Sequence, residues 1–208
     1  MPDKNSIAII GYSGHSFVVL DAAKQMGLDV KYYCERNSVS FNPFDISYLG
    51  DEGNESFNWN SIDQFILGIG DNKIRQKVAD LILSKKKTIL NVIHPSSIVA
   101  NYATFGTGNF IAANVTINAL AKVGDHCILN TGCIVEHECV IESGAHIAPG
   151  TVLAGNVAVG ENSFVGANSV VKQGVKIGRG VTVGAGSVVI KDIPDNEVWV
   201  GNPAKKLK

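Results

Sequence analysis

ILNTGCIVEHECVIESGA, residues 128–145, carries three aliphatic pairs, Ile128-Leu129, Ile134-Val135 and Val140-Ile141, spaced six residues apart. A six-residue period belongs neither to a helix, which repeats every 3.6 residues, nor to one long alternating strand. Followed outward in steps of six, the second member of the pair recurs at Val99, Phe105, Ile111, Ile117, Val123, Leu129, Val135, Ile141, Ile147, Leu153, Val159, Val165, Val171, Ile177, Val183 and Val189, sixteen positions without a miss. In a chain that is 45% apolar, chance produces such a run with a probability on the order of 10⁻⁶. The position four residues further on is mostly small: Ala103, Asn109, Ala121, Cys127, Cys133, Cys139, Ala145, Ser163, Ser169 and Ser187. Glycine often follows the aliphatic residue, at Gly106, Gly124, Gly160, Gly166, Gly178 and Gly184. This pattern predicts a parallel β-helix, each coil made of three short strands and about eighteen residues. Aliphatic side chains stack inward, small ones fit the corners, and those glycines supply the positive-φ turns between faces. Sixteen hexads make about five coils, a prism roughly 25 Å long at the usual strand spacing.

Upstream the grammar is different. Ile7–Ile10 reads as a strand, Gly11-Tyr12-Ser13-Gly14 as a turn, and His15–Met26 as a helix. Val30–Tyr33, Phe65–Ile69 and Thr88–Ile93 read as further strands, and Ile74–Leu83 as an amphipathic helix. Strands alternating with helices predict a small parallel sheet of βαβ type. Asn37–Asn60 is polar, rich in Asn and Ser, and reads as a loop. The expected organisation is a Rossmann-like α/β subdomain over residues 1–94, then an all-β parallel β-helix with a short C-terminal segment over 95–208.

A net charge of −1 offers nothing to a nucleic acid. No apolar run approaches membrane-spanning length, and MPDKNSIAII lacks the order of a signal peptide, so a cytoplasmic location is expected. Cys127, Cys133 and Cys139 recur every six residues at the small corner position, which assigns them to packing rather than to disulfides or a CxxC zinc site. His126, His137 and His146 stand eleven and nine residues apart, without the close pair that a zinc site wants, so no metal is expected.

The segment Val135-Glu136-His137-Glu138-Cys139-Val140-Ile141, the loop Gly11-Tyr12-Ser13-Gly14-His15 and the run Gly68-Ile69-Gly70-Asp71-Asn72-Lys73-Ile74-Arg75 together closely resemble a known family. It is that of the sugar-nucleotide N-acetyltransferases acting on the 4-amino group of UDP-linked amino-dideoxy sugars, the bacillosamine enzymes among them. The resemblance spans essentially the whole chain. It implies a left-handed β-helix, acetyl-CoA as co-substrate, a nucleotide-sugar acceptor and a homotrimer with sites between adjacent prisms. It also implies roles for single residues: His137 as general base, the adjacent Glu138 as the group that orients it, and His146 near the thioester of acetyl-CoA. Gly155 would offer a backbone N–H to the oxyanion, and Ala167 and Ala185 would line the CoA chain through their backbones. Ser13, Gly14, His15, Glu35, Arg36 and Gly70 would contact the nucleotide-sugar. Lys172, Lys176 and Arg179 are candidates for the CoA phosphates, with plain solvated positions the first expectation. Gly201-Asn202-Pro203-Ala204-Lys205 resembles the closing segment of hexapeptide acyltransferases. The chain departs from the family in having Glu35-Arg36 where a member carries two acidic residues, Asp71 in place of asparagine, and a longer Asn37–Asn60 segment.

The chemistry is coherent by itself. Attack on a thioester needs a neutral amine, and an imidazole titrating near pH 6.5 can take the amine proton as nitrogen attacks. The CoA thiolate leaves readily, so no covalent acyl-enzyme is needed. Two other readings stand beside this one. One is an O-acetyltransferase acting on sialic acid or a related sugar, because those enzymes share both halves of the architecture. The other is a non-catalytic β-helix that binds or scaffolds.

Overall fold

A computed structural model describes residues 6–207. The N-terminal half is a five-stranded parallel sheet in the order β3-β2-β1-β4-β5, built from β1 (Ile7–Ile10), β2 (Val30–Cys34), β3 (Ser47–Gly50), β4 (Gln64–Leu67) and β5 (Thr88–Ile89). Helix α1 (Gly14–Gln25) follows β1, and α2 (Asn72–Ser84) follows β4. The IAII and QFIL strands are buried on both faces, because α2 covers one side and α1 with the prism covers the other. Asp71 starts α2 by accepting the Ile74 N–H at 2.9 Å, a side-chain cap on an end that would otherwise leave donors unpaired.

From Val92 onward the chain winds as a three-sided prism. Its first face runs from β6 (Val92–Ile93) through Phe110–Ile111, Ile128–Leu129, His146–Ile147, Phe164–Val165 and Thr182–Val183 to Val198–Val200. The second runs from Ile98–Val99 through Ile134–Val135 to Val188–Val189, and the third from Thr104–Phe105 through Val140–Ile141 to Lys176–Ile177. The rungs are parallel with partners eighteen residues apart, as in Ile128↔His146 and Ile134↔Val152, until the last on the first face, where Thr182↔Val198 are sixteen apart. The aliphatic stack is inside: Ile111, Ile117, Leu129, Val135, Ile147, Leu153, Val159, Val165, Val171, Val183 and Val189 are all 0% exposed. The small corner residues are buried too, and several return a hydrogen bond to a carbonyl fifteen residues on. Ser163 Oγ donates to Gly178 O at 2.7 Å, Thr151 Oγ1 to Gly166 O at 3.0 Å, and Cys139 Sγ to Ala154 O at 3.2 Å. A corner carbonyl facing inward would otherwise be an unpaired acceptor, so a hydroxyl or thiol there fills space and satisfies polarity. Burial raises the Cys127 and Cys133 thiols to about 12, as inert packing groups should show.

Four expectations change. Asn37–Asn60 is not all loop: it holds β3, which pairs parallel with β2 through Tyr33↔Tyr48. An edge strand of four residues, half-exposed, carries too little apolar signal to read. Its approach is tied by Asn42, which accepts from the Tyr12 hydroxyl and donates to Ile46 O at 2.9 Å. The third anticipated strand stops at Leu67 rather than Ile69, because Gly68–Gly70 turns away as a loop. Thr88–Ile93 is two strands in two sheets, β5 closing the N-terminal sheet and β6 opening the prism one hexad before Val99. Asn91 marks the break, its side chain donating to Gly106 O and accepting from Asn109 N.

The glycines do a different job from the one anticipated. Positive φ falls three residues after fourteen of the sixteen aliphatic positions, at Gly108, Asn114, Leu120, His126, Gly132, Glu138, Gly144, Gly150, Asn156, Asn162, Asn168, Gly174, Gly180 and Gly186. Gly106, Gly124, Gly160, Gly166, Gly178 and Gly184 are instead places where coils nearly touch. A Cβ on Gly166 would lie 2.5 Å from the Ala185 nitrogen, whereas one on Gly186 would meet nothing within 4 Å. Gly166→Ala should therefore cost about 2–4 kcal/mol by forcing two backbones apart. Gly186→Ala should cost only about 1 kcal/mol, the left-handed conformation of an L-residue. Urea unfolding of both variants checks this, and an equal or reversed order would refute the division of labour between the two glycine sets.

Candidate active site

Glu138 is one of three residues in that positive-φ series that are neither glycine nor asparagine, with φ +60°. Such a backbone costs about 1 kcal/mol unless something repays it. The conformation turns the carboxylate back onto its neighbour: Glu138 Oε2 lies 3.1 Å from His137 Nδ1. The contact leaves Nε2 as the free nitrogen, and the ring lies over the next coil. A Cβ built on Gly155 would meet His137 Nε2 and Cε1 at 2.5 Å each, so a larger residue there would push the imidazole aside. The coils lock together here, Asn156 N–H donating to His137 O at 2.8 Å. Among the described residues the Gly155 N–H has no hydrogen-bond acceptor. The His137 and Glu138 side chains are 53% and 58% exposed, at the corner between the second and third faces.

Other predicted residues lie elsewhere. Ala167 and Ala185 sit on the corner between the first and second faces. His146 lies on the first face, 8% exposed, beneath the N-terminal half. Its Nε2 is 3.2 Å from Asn130 Nδ2, and its ring packs edge-on to Phe164 at 5.0 Å and tilted against His15 at 6.4 Å. Arg179 forms an ion pair with Asp195 at 3.1 Å, two-thirds exposed, which fits a solvated surface position. In one chain, then, His137, Glu138 and Gly155 come together, and His146 with His15 form a separate group. Ala167 and Ala185 stand apart from both.

Four of the six nucleotide-sugar candidates, Ser13, Glu35, Arg36 and Gly70, converge on one cleft, while His15 lies on a second and Gly14 lines neither. The strand order puts the crossover reversal between β1 and β4, and the carboxyl ends of the strands open there into a cleft of about 620 Å³. Gly11, Ser13, Glu35, Arg36 and Gly70 line it, and the α1 N-terminus abuts it. Glu35 stitches the wall, accepting the Tyr12 N–H at 3.1 Å through Oε2. Gly68 permits the close approach of the two loops, since a Cβ there would meet Gly11 O at 2.8 Å. Asp51 and Glu52 also line the cleft. They gave no sequence signal because they lie in the segment read as a loop. Burial, with Asp51 and Glu35 nearby, raises the Glu52 carboxyl above the ordinary range. A second cleft of about 670 Å³ meets the first at Gly70 and runs along the prism past His15, Asp71, Asn72, Lys73, His146 and Phe164.

The N-terminal half, residues 6–82, matches the family model described as the PglD N-terminal domain. Residues 120–155 match "Bacterial transferase hexapeptide (six repeats)" and 156–191 "Hexapeptide repeat of succinyl-transferase". Over the whole fold the chain is similar to a histidine-to-alanine mutant of GDP-perosamine N-acetyltransferase from Caulobacter crescentus, determined in complex with CoA and GDP-perosamine. Identity is 33%, coverage 98% of this chain and 97% of that one, and the TM-score 0.92. The chain belongs to the hexapeptide-repeat family of sugar-nucleotide N-acetyltransferases. The acetyltransferase domain of PglB from Neisseria gonorrhoeae, in complex with acetyl coenzyme A, is 30% identical, covers 99% and 100% of the two chains, and has a TM-score of 0.91. WeeI from Acinetobacter baumannii, 23% identical over 97% and 99% with a TM-score of 0.87, shares the fold. As a family member this protein is an acetyl-CoA-dependent acyltransferase. Among the described residues no group of three or more His, Cys, Asp or Glu is arranged to hold a metal, and no helix is long and apolar enough to cross a membrane.

Burial, the Arg75 cation and each other's charge push His146 down to about 4, and burial with Arg75 does the same to His15. The native state thus binds these protons only below pH 4, while the unfolded chain takes them up near 6.5. Stability is full above pH 6.5 and is lost as pH falls from 6.5 toward 4, by up to about 2 kcal/mol per histidine between pH 7 and 5. Urea midpoints should fall over that interval, and His15→Gln or His146→Gln should flatten the fall. A midpoint independent of pH in the native sequence would contradict the assignment.

Proposed function

We propose that this acetyltransferase moves the acetyl group of acetyl-CoA to the 4-amino group of a nucleotide-linked 4-amino-4,6-dideoxy sugar, by direct transfer with His137 as general base. The observation that carries this is the His137–Glu138 pair, 3.1 Å apart, with Nε2 turned to an open corner over Gly155. The amine nitrogen attacks the thioester carbonyl, its proton passes to His137 Nε2, and the C–S bond breaks to release CoA thiolate. Glu138 at Nδ1 fixes the tautomer that leaves Nε2 able to accept, and the Gly155 N–H is a donor for the developing oxyanion.

A homotrimer completes the site in this reading. The N-terminal half covers the first face, whereas His137 lies at the corner opposite it. A nucleotide-sugar held in the β1–β4 cleft of one chain is thus better placed for a neighbour's His137. The outer side of the second face supports an assembly. Ile98, Thr116, Ile134, Val152, Val170 and Val188 stand in register along it, apolar but for Thr116, Ile98 being 68% and Val170 42% exposed. Such an apolar ladder is an association surface. It would bring the Ala167–Ala185 corner of one prism beside the His137–Gly155 corner of the next, with the acetyl-CoA chain between them. UDP is the nucleotide carried by the sequence resemblance, and GDP is the one bound by the Caulobacter relative.

His137→Ala should lower kcat at least a hundredfold with a UDP- or GDP-linked 4-amino sugar, at unchanged melting temperature. Activity within a few-fold of the native protein would remove the general base. Val152→Asp should give monomers by analytical ultracentrifugation and lose activity in parallel, and an active monomer would refute the shared site. A thermal-shift panel of UDP, GDP and dTDP separates this reading from transfer to a free sugar, which no nucleotide should stabilise.

A further inference from the structure

Arg75 is the largest fully buried side chain, 1% exposed, in the middle of the junction between the two halves. A guanidinium has five N–H donors in a fixed plane. Here Nε donates to His126 O at 2.8 Å, and Nη1 to Ile69 O at 3.2 Å and Gly70 O at 3.0 Å. Nη2 donates to Asn72 Oδ1 at 2.9 Å and Gly144 O at 2.8 Å. Five donors meet five acceptors, two on the loop after β4, one on α2 and two on a prism corner. No carboxylate forms an ion pair with it among the described residues. A buried cation whose direct partners are all neutral, with Asp71 acting on it only at longer range, is a costly way to hold two halves together, because apolar residues of similar volume do so at less cost. Its geometry therefore serves something besides cohesion.

We propose that Arg75 is a positioning residue of the transfer reaction, which clamps the Gly70 loop to the prism so that the sugar end of the nucleotide cleft opens onto His15 and His146. Gly70 is the residue common to both clefts, and its carbonyl accepts from Arg75. His146 and Gly70 line the same cleft, so the clamped peptide and the imidazole face one space. His15 packs beside that glycine, 3.6 Å from where a Cβ would stand. The cation also disfavours protonation of both rings, leaving neutral imidazoles that can exchange hydrogen bonds with a sugar or an acyl group. The other charged groups along this cleft are Lys73 of α2 and its capping Asp71. Lysine cannot replace the fork, since three donors on a flexible stem do not span acceptors in a plane.

The inference rests on the proposed function, and two readouts keep their failures distinct. The first needs no substrate: histidine ring NMR titrations of the full-length native protein, Arg75→Lys and Arg75→Met. In the native protein the His15 and His146 signals should stay in the neutral form down to pH 5. In Arg75→Met both midpoints should move up by at least half a pH unit. The second is kinetic, with whichever nucleotide-linked 4-amino sugar the native protein acetylates. Arg75→Lys, assayed where circular dichroism shows it folded, should raise KM for the nucleotide-sugar about tenfold and leave KM for acetyl-CoA within twofold. A lower melting temperature with both KM values unchanged would mean that Arg75 only holds the halves together. Unchanged histidine midpoints in Arg75→Met would overturn the proposal by themselves. If the native protein acetylates no such sugar, the proposed function fails while the titrations still decide for or against Arg75.

Discussion

Everything in this molecule depends on a coil that closes in eighteen residues. Each coil can dock on the next only if its three corners turn through the same angle, which requires one residue per corner in the left-handed region. Glycine and asparagine meet that demand at eleven of the fourteen corners from 108 to 186. Close approach of coils is a second demand, met by a different set of glycines, and the inward aliphatic column meets the third. Because the three demands recur in phase every six residues, the ladder is regular, and any departure from it stands out.

Two of the three departures touch residues of the proposed reaction. Leu120, His126 and Glu138 are the corners that keep a larger side chain in the strained conformation. At Glu138 the strain aims a carboxylate at His137, and at His126 the corner carbonyl accepts from Arg75. The regular prism is rigid enough to impose both, since every rung is held by backbone bonds above and below.

The proposed nucleotide-sugar cleft belongs to the other half. A parallel sheet leaves a crevice where its crossovers reverse, and α1 begins at that crevice. The prism lends this half its first face, so that one side of the acceptor cleft is built from hexad residues such as His146 and Phe164. Family membership, resting on similarity over nearly the full chain, ties these two halves to acetyl transfer onto nucleotide-linked amino sugars.

The prism was legible in the sequence because a six-residue period is local and repeats sixteen times. The strand–helix alternation before it and the adjacency of His137 and Glu138 are local as well, and so they too could be read. What depended on contacts between distant segments could not. The short edge strand Ser47–Gly50 exists only because Tyr33 and its neighbours offer it a partner, and with it come Asp51 and Glu52 at the cleft. The break at Asn91 appears only when two sheets compete for one apolar run. Arg75 looked like one more polar residue of an amphipathic helix, yet its five acceptors come from segments up to 69 residues away. The sequence by itself determined the period, the inward column and the chemical pair. Tertiary structure alone decided which corner each of them faces, because that depends on which face the N-terminal half covers, a choice made by packing between halves and not by any local pattern.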